Sequence, residues 1–293
     1  MADDLTQWKL AAAQIPARGA ALARDPAFPA AARALASGML ALAQSDAALD
    51  GIFKDAGRYM TAMWALYLHQ TGGLTLPRLK AVCAASGYLS PGRARAMLHY
   101  LRHLGYVAPV PRTKPVRYVP TEAFVTAWRR HLGAAMAAAR FLEPAIGPLV
   151  ERMQDRETFE CLARSQSEGL LRSAPSIDQG DALVRVFQHR NAGSQILWLL
   201  IEASENGEFP PSRCPSFSVA ATARRFRVSR IHVRRLLADA ERAGFLKTGP
   251  GGALIFSDAG RAALTASYAG QLVLVLASCA AASAELAKLS RAA

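Results

Sequence analysis

The side chains whose type and spacing best support a chemical role in this sequence are arginines and lysines in two clusters. Between Arg78 and Arg140, eleven basic residues accompany one acid, Glu122, and between Arg213 and Lys247 nine accompany two acids. The two segments together exceed the net charge of +13, so the rest of the 293-residue chain is net acidic. Concentrated positive charge on a mildly acidic body favours a polyanionic partner such as duplex DNA, with a membrane surface as the competing polyanion.

Other groups that could do chemistry do not form a recognisable site. His99 and His103 have the spacing of metal ligands on a helix, but the HExxH glutamate and a third ligand are missing. Residues 249–252 are Gly-Pro-Gly-Gly without the Lys-Ser/Thr of a phosphate loop, so we expect a turn there. We therefore predict no metal, no cofactor and no enzymatic activity. The cysteines lack a CxxC pair and favour a reducing interior: Cys83, Cys161, Cys214 and Cys279.

An internal repeat contains the basic residues. Two blocks each start with a serine, Ser90 or Ser229, and reach a glycine fifteen residues later, Gly105 or Gly244. An aromatic and an aliphatic residue follow each glycine. Each serine can cap the start of a helix, and each glycine suits the left-handed residue that ends one. Each block is thus predicted to be one helix with a single apolar face.

The elements around the two helices repeat as well. Each helix follows a short helix and a tight turn, after a longer apolar helix, and precedes a short hairpin and a new capped helix. In the first copy we predict these elements at 59–70, 76–85, 106–119 and from Thr121 onward. In the second copy we predict them at 194–205, 219–226, 245–256 and from Ser257 onward. This order predicts a duplicated winged helix-turn-helix.

The second copy also resembles a known family. Residues 219–256 contain Val-Ser-Arg-x-x-Val-Arg-Arg-Leu-Leu followed by Ala-Gly-Phe-Leu, and this run resembles the DNA-reading core of MarR-like transcriptional regulators. The first copy departs from that pattern, with Pro91-Gly92 at the start of its helix and a proline-rich wing. The resemblance implies a mostly α fold with small β-hairpin wings: two winged helix-turn-helix domains in tandem, plus long scaffold or dimerisation helices.

The chain is predicted to divide into four segments. Residues 1–56 form an N-terminal helical scaffold, 57–170 the first winged domain with its following long helices, 171–182 a linker, and 183–293 the second winged domain with a C-terminal helix. One long helix is expected over 146–165. The apolar strip of the last helix either joins two copies of the chain or packs against the chain's own N-terminal helices: Leu272, Val273, Val275, Leu276 and Cys279.

The fold assigns expected roles to the basic residues. Side chains at the start of the second helix of each unit reach base edges in the major groove, while those on the preceding helix neutralise phosphates. The wings contact the minor groove or its flanking phosphates, and Arg112 or Arg117 would insert into a narrow minor groove. The candidate DNA-binding residues of the second copy are Arg224, Arg225, Arg227, Ser229, Arg230, His232, Arg234, Arg235 and Lys247. Those of the first copy are Ser90, Arg93, Arg95, Arg112, Lys114 and Arg117. The alternative is that these arginines are solvated faces of an arginine-rich chain.

The expected function is sequence-specific binding to double-stranded DNA as a cytoplasmic transcriptional regulator. Alternatives are a replication initiator or chromosome-organising protein, and a winged-helix scaffold for protein interactions. The two units could form an internal pseudo-dimer reading half-sites about 34 Å apart, but a homodimer is favoured. No membrane association is expected, because the apolar run 271–282 is too short to span a bilayer. Tyr59, Trp64 and Trp198 line either the core or a pocket for an unknown small-molecule effector.

Overall fold

This computed structural model describes residues 14–87, 89–173 and 182–292. These residues form thirteen α-helices and six short strands, joined by turns and loops. The helices are α1 (Ile15–Leu22), α2 (Phe28–Ser45), α3 (Ala47–Ile52), α4 (Ala56–Gln70), α5 (Leu76–Ser86), α6 (Pro91–His103), α7 (Glu122–Ala139), α8 (Gly147–Glu151), α9 (Arg156–Ser173), α10 (Gly193–Glu202), α11 (Val219–Arg225), α12 (Arg230–Arg242) and α13 (Asp258–Ala292). The strands are β1 (Leu74–Thr75), β2 (Val107–Val110), β3 (Arg117–Pro120), β4 (Arg213–Cys214), β5 (Leu246–Thr248) and β6 (Leu254–Phe256). The protein is therefore mostly helical, as predicted.

The same chain topology occurs twice. In unit 1 (residues 56–139) the order is α4, β1, α5, α6, β2, β3, α7, and in unit 2 (residues 193–292) it is α10, β4, α11, α12, β5, β6, α13. Each unit has one antiparallel three-stranded sheet, in the order β1-β3-β2 or β4-β6-β5. The repeat seen in the sequence is thus present as a repeated order of elements and of strands.

The helix ends follow the predicted capping chemistry. The Ser90 hydroxyl accepts a hydrogen bond from the backbone N–H of Arg93 at 3.3 Å, and the Ser229 hydroxyl accepts one from His232 at 3.1 Å. Gly105 and Gly244 take the left-handed conformation with φ of 69° and 73°. Each cap satisfies a backbone group that the helix leaves without a partner, so the sequence determines where α6 and α12 begin and end.

Three details differ from the sequence-based expectation. Both predicted hairpins are present, as β2–β3 and β5–β6, but each belongs to a three-stranded sheet, because the two-residue strands β1 and β4 pair with β3 and β6. The prediction of a single helix over 146–165 is wrong, because residues 152–155 are not helical and separate α8 from α9. Finally, α9 extends to Ser173, and residues 174–181 of the expected linker lie outside the described residues.

One continuous hydrophobic core includes side chains from both units. Helix α2 packs against α7 of unit 1 and α10 of unit 2, while α13 packs against α9, α1 and α7. The N-terminal helices therefore lie between the units and hold them together. The largest fully buried side chains come from both halves and include Trp64, Trp128, Phe187, Phe226 and Tyr268.

The strip on α13 is used inside the monomer. Leu272, Val273, Leu276 and Cys279 are each fully buried, whereas Val275 is partly buried. Of the two roles that the sequence left open, packing against the chain's own helices is the one observed. By length and composition α13 could also cross a membrane, but a buried core helix has the same properties, and 44% of its most apolar window is buried.

Candidate nucleic-acid interface

Helix α12 presents a basic surface because its large apolar residues face inward, apart from Ile231. Val233, Leu236, Leu237 and Ala240 are buried against the core of unit 2, which leaves the remaining faces to solvent. We call five exposed arginines on α11, on the turn after it and on α12 the α12 patch: Arg224, Arg227, Arg230, Arg234 and Arg235.

The arginines of the α12 patch differ from their neighbours in how they are paired. Among the residues that the structure describes, none of its five arginines forms an ion pair with an acid. Other arginines of this region do: Arg190 and Arg242 both pair with Asp239, and Arg213 lies 3.3 Å from Glu205. Asp239 and Glu205 therefore pair with arginines outside the α12 patch.

Two of the predicted contacts in unit 2 are engaged by the protein itself. With the Gln44 amide turned to satisfy its neighbours, its oxygen accepts from Nε of Arg225 at 3.2 Å, which directs this guanidinium toward the end of α2. The Nε2 atom of His232 lies 2.6 Å from the backbone carbonyl of Asn191. Ser229 uses its hydroxyl as the helix cap, and Lys247 is exposed on β5.

In unit 1 the candidate residues divide in the same way. Arg93 lies 3.2 Å from the carboxylate of Asp55, and the Arg117 guanidinium packs directly on Gly73, where a Cβ would be 2.6 Å from Nη2. Ser90 caps α6. Three cations remain exposed and form no ion pair within the described ranges: Arg95, Arg112 and Lys114.

Two consecutive residues connect the starts of α6 and α12. The Lys54 ammonium donates to the backbone carbonyl of Phe226, at the end of α11, at 2.8 Å, and the Lys54 carbonyl accepts from Ala192 at 2.6 Å. Its neighbour Asp55 holds Arg93, and the charges of Asp55 and Arg93 act on His189 in the loop before α10. The two helix starts therefore flank one junction on the molecule.

Sequence reasoning missed three residues of this region. Ile231 is 59% exposed on α12, the highest value among the exposed large apolar side chains of the described residues. Its place between Arg230 and His232 is a signal that could have been found in the sequence. Lys54 and Asp55 carried no such signal, because their role depends on contacts with residues far along the chain.

Metal binding finds no support in the part of the chain that is described, where no three His, Cys, Asp or Glu side chains could hold one ion. His99 and His103 are both exposed on α6. All four cysteines are buried and unpaired, and burial raises the pKa of each thiol. Buried thiols with raised pKa values are poor nucleophiles.

Comparison with known proteins gives no relative. No protein-family description matches the chain, no curated protein matches its sequence, and no solved structure matches it.

Proposed function

We propose that the protein is a transcriptional regulator that binds double-stranded DNA through two winged helix-turn-helix units, with α12 in the major groove. The observation that carries this proposal is the α12 patch, whose five arginines are exposed on the helix-turn-helix of unit 2 and have no acidic partner among the described residues. An uncompensated cluster at the start of a capped helix suits a phosphate backbone and base edges.

Within this proposal the arginines have different tasks. Arg230 and Arg234 lie in the first two turns of α12, from which side chains reach base edges. Arg224 and Arg227 lie on the preceding helix and turn, where cations usually neutralise phosphates. The β5–β6 wing adds Lys247, which is exposed.

In this proposal unit 1 contacts the DNA phosphates and makes few contacts to base edges. The start of α6 offers Pro91 and Gly92, which have no side-chain hydrogen-bond donors, and Arg93 is held by Asp55. The exposed cations Arg95, Arg112 and Lys114 would contact phosphates along the same duplex. Because the starts of α6 and α12 flank one junction, we favour a single continuous interface over two separate half-sites. Assembly into a homodimer stays a prediction.

The test is binding of the full chain to labelled duplex fragments by fluorescence anisotropy across a salt series. Arg234→Ala/Arg235→Ala should lower affinity roughly ten-fold or more, and the log–log slope of affinity against salt should become shallower by about 0.9 for each phosphate that is no longer neutralised. Arg152→Ala/Arg156→Ala is the matched control, because it also removes two charges, from exposed arginines that pair with Asp155 and Glu160. It should bind like the unaltered protein.

Two outcomes separate this proposal from its competitors. No binding to any duplex at low salt would end it. Binding that all unrelated duplexes compete away equally well would instead indicate a chromosome-organising protein. A regulator of transcription should retain a subset of genomic fragments against excess competitor DNA.

A further inference from the structure

A cavity of about 230 Å³ lies where both units meet the scaffold helices. Residues of α2, α4, α7, α9, α10 and α13 contribute to its wall. Aromatic side chains supply much of that wall: Phe53, Tyr59, Trp198 and Tyr268. Trp198 and Tyr59 are only partly buried, as expected for residues that face a cavity, whereas Trp64 is fully buried in the core.

A buried polar group lies in this apolar wall. The Tyr59 hydroxyl is 2.9 Å from Nε2 of His131 and accepts from the Gln166 amide at 3.3 Å. Burial lowers the pKa of His131 to about 4 and raises the pKa of Tyr59, so both side chains are neutral near pH 7. The cavity thus contains hydrogen-bonding groups without adding charge.

Three polar atoms of the cavity residues have no hydrogen-bond partner in the described part of the protein. They are Nδ1 of His131, Oε1 of Gln166 and the hydroxyl of Tyr268. The three side chains are at least nine-tenths buried and come from α7, α9 and α13. Unsatisfied buried polar groups are costly, and these three belong to residues that line the cavity, so a ligand whose polar group reached them would remove that cost.

Size and charge define that partner. A cavity of about 150 Å³ is enough for benzene, so this one has room for a single substituted ring. Asp55 is the only acidic side chain among the described lining residues, its carboxylate pairs with Arg58 and Arg93, and no lysine or arginine lines the wall. A carboxylate ligand would meet no lysine or arginine in the wall, and the two arginines beside Asp55 are already paired with its carboxylate, which disfavours such a ligand.

We propose that this cavity is a binding site for a neutral, largely apolar molecule of single-ring size that carries a hydrogen-bonding group. The aromatic wall takes the ring, and the polar group reaches the cluster of Tyr59, His131 and Gln166. The ligand gains affinity by burying its ring and by satisfying groups that otherwise have no partner.

Asp55 connects the cavity to the proposed DNA interface, and this step rests on the proposed function. Asp55 lines the cavity and pairs with Arg93 at the start of α6. A ligand that displaces the Asp55 carboxylate would release Arg93 toward DNA. Occupancy would then change DNA affinity, while ligand binding itself does not require DNA.

The experiment measures binding of benzyl alcohol, benzamide and benzoate to the full chain without DNA, by tryptophan fluorescence and isothermal calorimetry. The neutral compounds should bind saturably, at least ten-fold more tightly than benzoate. Ala135→Phe fills the cavity and should abolish binding. Tyr59→Phe keeps the shape of the cavity but lacks the hydroxyl, so the affinity for benzyl alcohol should fall several-fold while the affinity for toluene stays the same. Leu289→Ala, at an exposed position outside the cavity, is the control.

Each outcome decides the proposal. Absence of saturable binding by the neutral compounds, or equal affinity for benzoate, would overturn it. So would unchanged binding in a folded Ala135→Phe variant, which would place the ligand elsewhere. If that variant does not fold, the Tyr59→Phe comparison decides, since a uniform effect on benzyl alcohol and toluene contradicts the hydrogen-bonded site. Failure to bind DNA leaves all these results intact and counts only against the proposed function.

Discussion

Ile231 is the residue on α12 whose exposure has no structural explanation. It is 59% exposed between two polar neighbours, although its position on the helix would accept a polar side chain equally well. In the major groove, a thymine presents its C5-methyl group as an apolar contact. If α12 lies in that groove, Ile231 is in position to meet such a methyl group.

We therefore expect Ile231 to distinguish thymine from uracil. Replacing the contacted thymine by uracil in a bound fragment should weaken DNA binding by the unaltered protein by about 0.8 kcal/mol, close to four-fold. Replacement of other thymines should have no such effect. Ile231→Ala should bind both fragments equally. Anisotropy titrations with each substituted duplex measure this. A thymine preference that persists in Ile231→Ala would assign the contact to another residue.

His131 should make stability depend on pH. Burial lowers its pKa in the folded protein to about 4 from an unperturbed 6.5. As pH falls below about 6.5 the unfolded chain binds a proton that the folded protein does not, so stability is lost until about pH 4.

The comparison is with His131→Gln, which cannot titrate but can still accept from Tyr59. Between pH 7 and pH 4.5 the free energy of unfolding should fall by roughly 2–3 kcal/mol more in the unaltered protein than in the variant. Urea denaturation at each pH gives this difference. Parallel curves would show that the His131 ring is accessible to protons in the folded state.

At the scale of elements, two glycines near the second sheet have different requirements. Gly244 ends α12 with φ of 73° and open space around it, whereas a Cβ on Gly260 would lie 2.0 Å from the Phe245 carbonyl oxygen. Gly244→Ala should lower the free energy of unfolding by about 1–2 kcal/mol, because alanine is strained in the left-handed conformation. Alanine at position 260 should cost about 3 kcal/mol or more, because the backbone of α13 must move away from β5. Thermal and urea unfolding of both variants test this ranking, and equal losses would contradict it.

The sequence predicts elements well where the chain carries its own signals. The helices that start after Ser90, Thr121, Ser218 and Ser229 can be located because a hydroxyl caps each of them. Strands β1 and β4 were missed because two residues are too short for an alternating pattern and depend on a partner strand far along the chain. The break at 152–155 has no proline or glycine to mark it.

At the scale of the whole molecule, the sequence could not predict how the units meet. It identified the candidate basic residues from their types, yet it could not tell that Arg93 is held by Asp55 or that Arg225 is directed to Gln44. Those contacts join residues more than thirty positions apart, and the cavity needs six helices from both halves. Such features appear only after the helices pack, because no local pattern determines them.

Lys54 provides a test of that packing. Its side chain is 9% exposed, and burial is the main cause that lowers its pKa. Its ammonium donates to three oxygens, from Asp50, Gln195 and the Phe226 backbone. Lys54→Met keeps the length of the side chain but leaves these acceptors without their donor, at a cost of about 1–3 kcal/mol.

We expect that loss to appear first at the turn between α11 and α12. Hydrogen exchange should become faster at residues 226–229 in Lys54→Met, because the Phe226 carbonyl at the end of α11 is no longer held by the turn between α3 and α4. Lys288→Met removes an equal charge from an exposed site on α13 and should change stability by no more than about 0.5 kcal/mol. If the two variants unfold alike and exchange at 226–229 is unchanged, the two units are held together by their apolar core alone, and the junction beside the α12 patch is not fixed by Lys54.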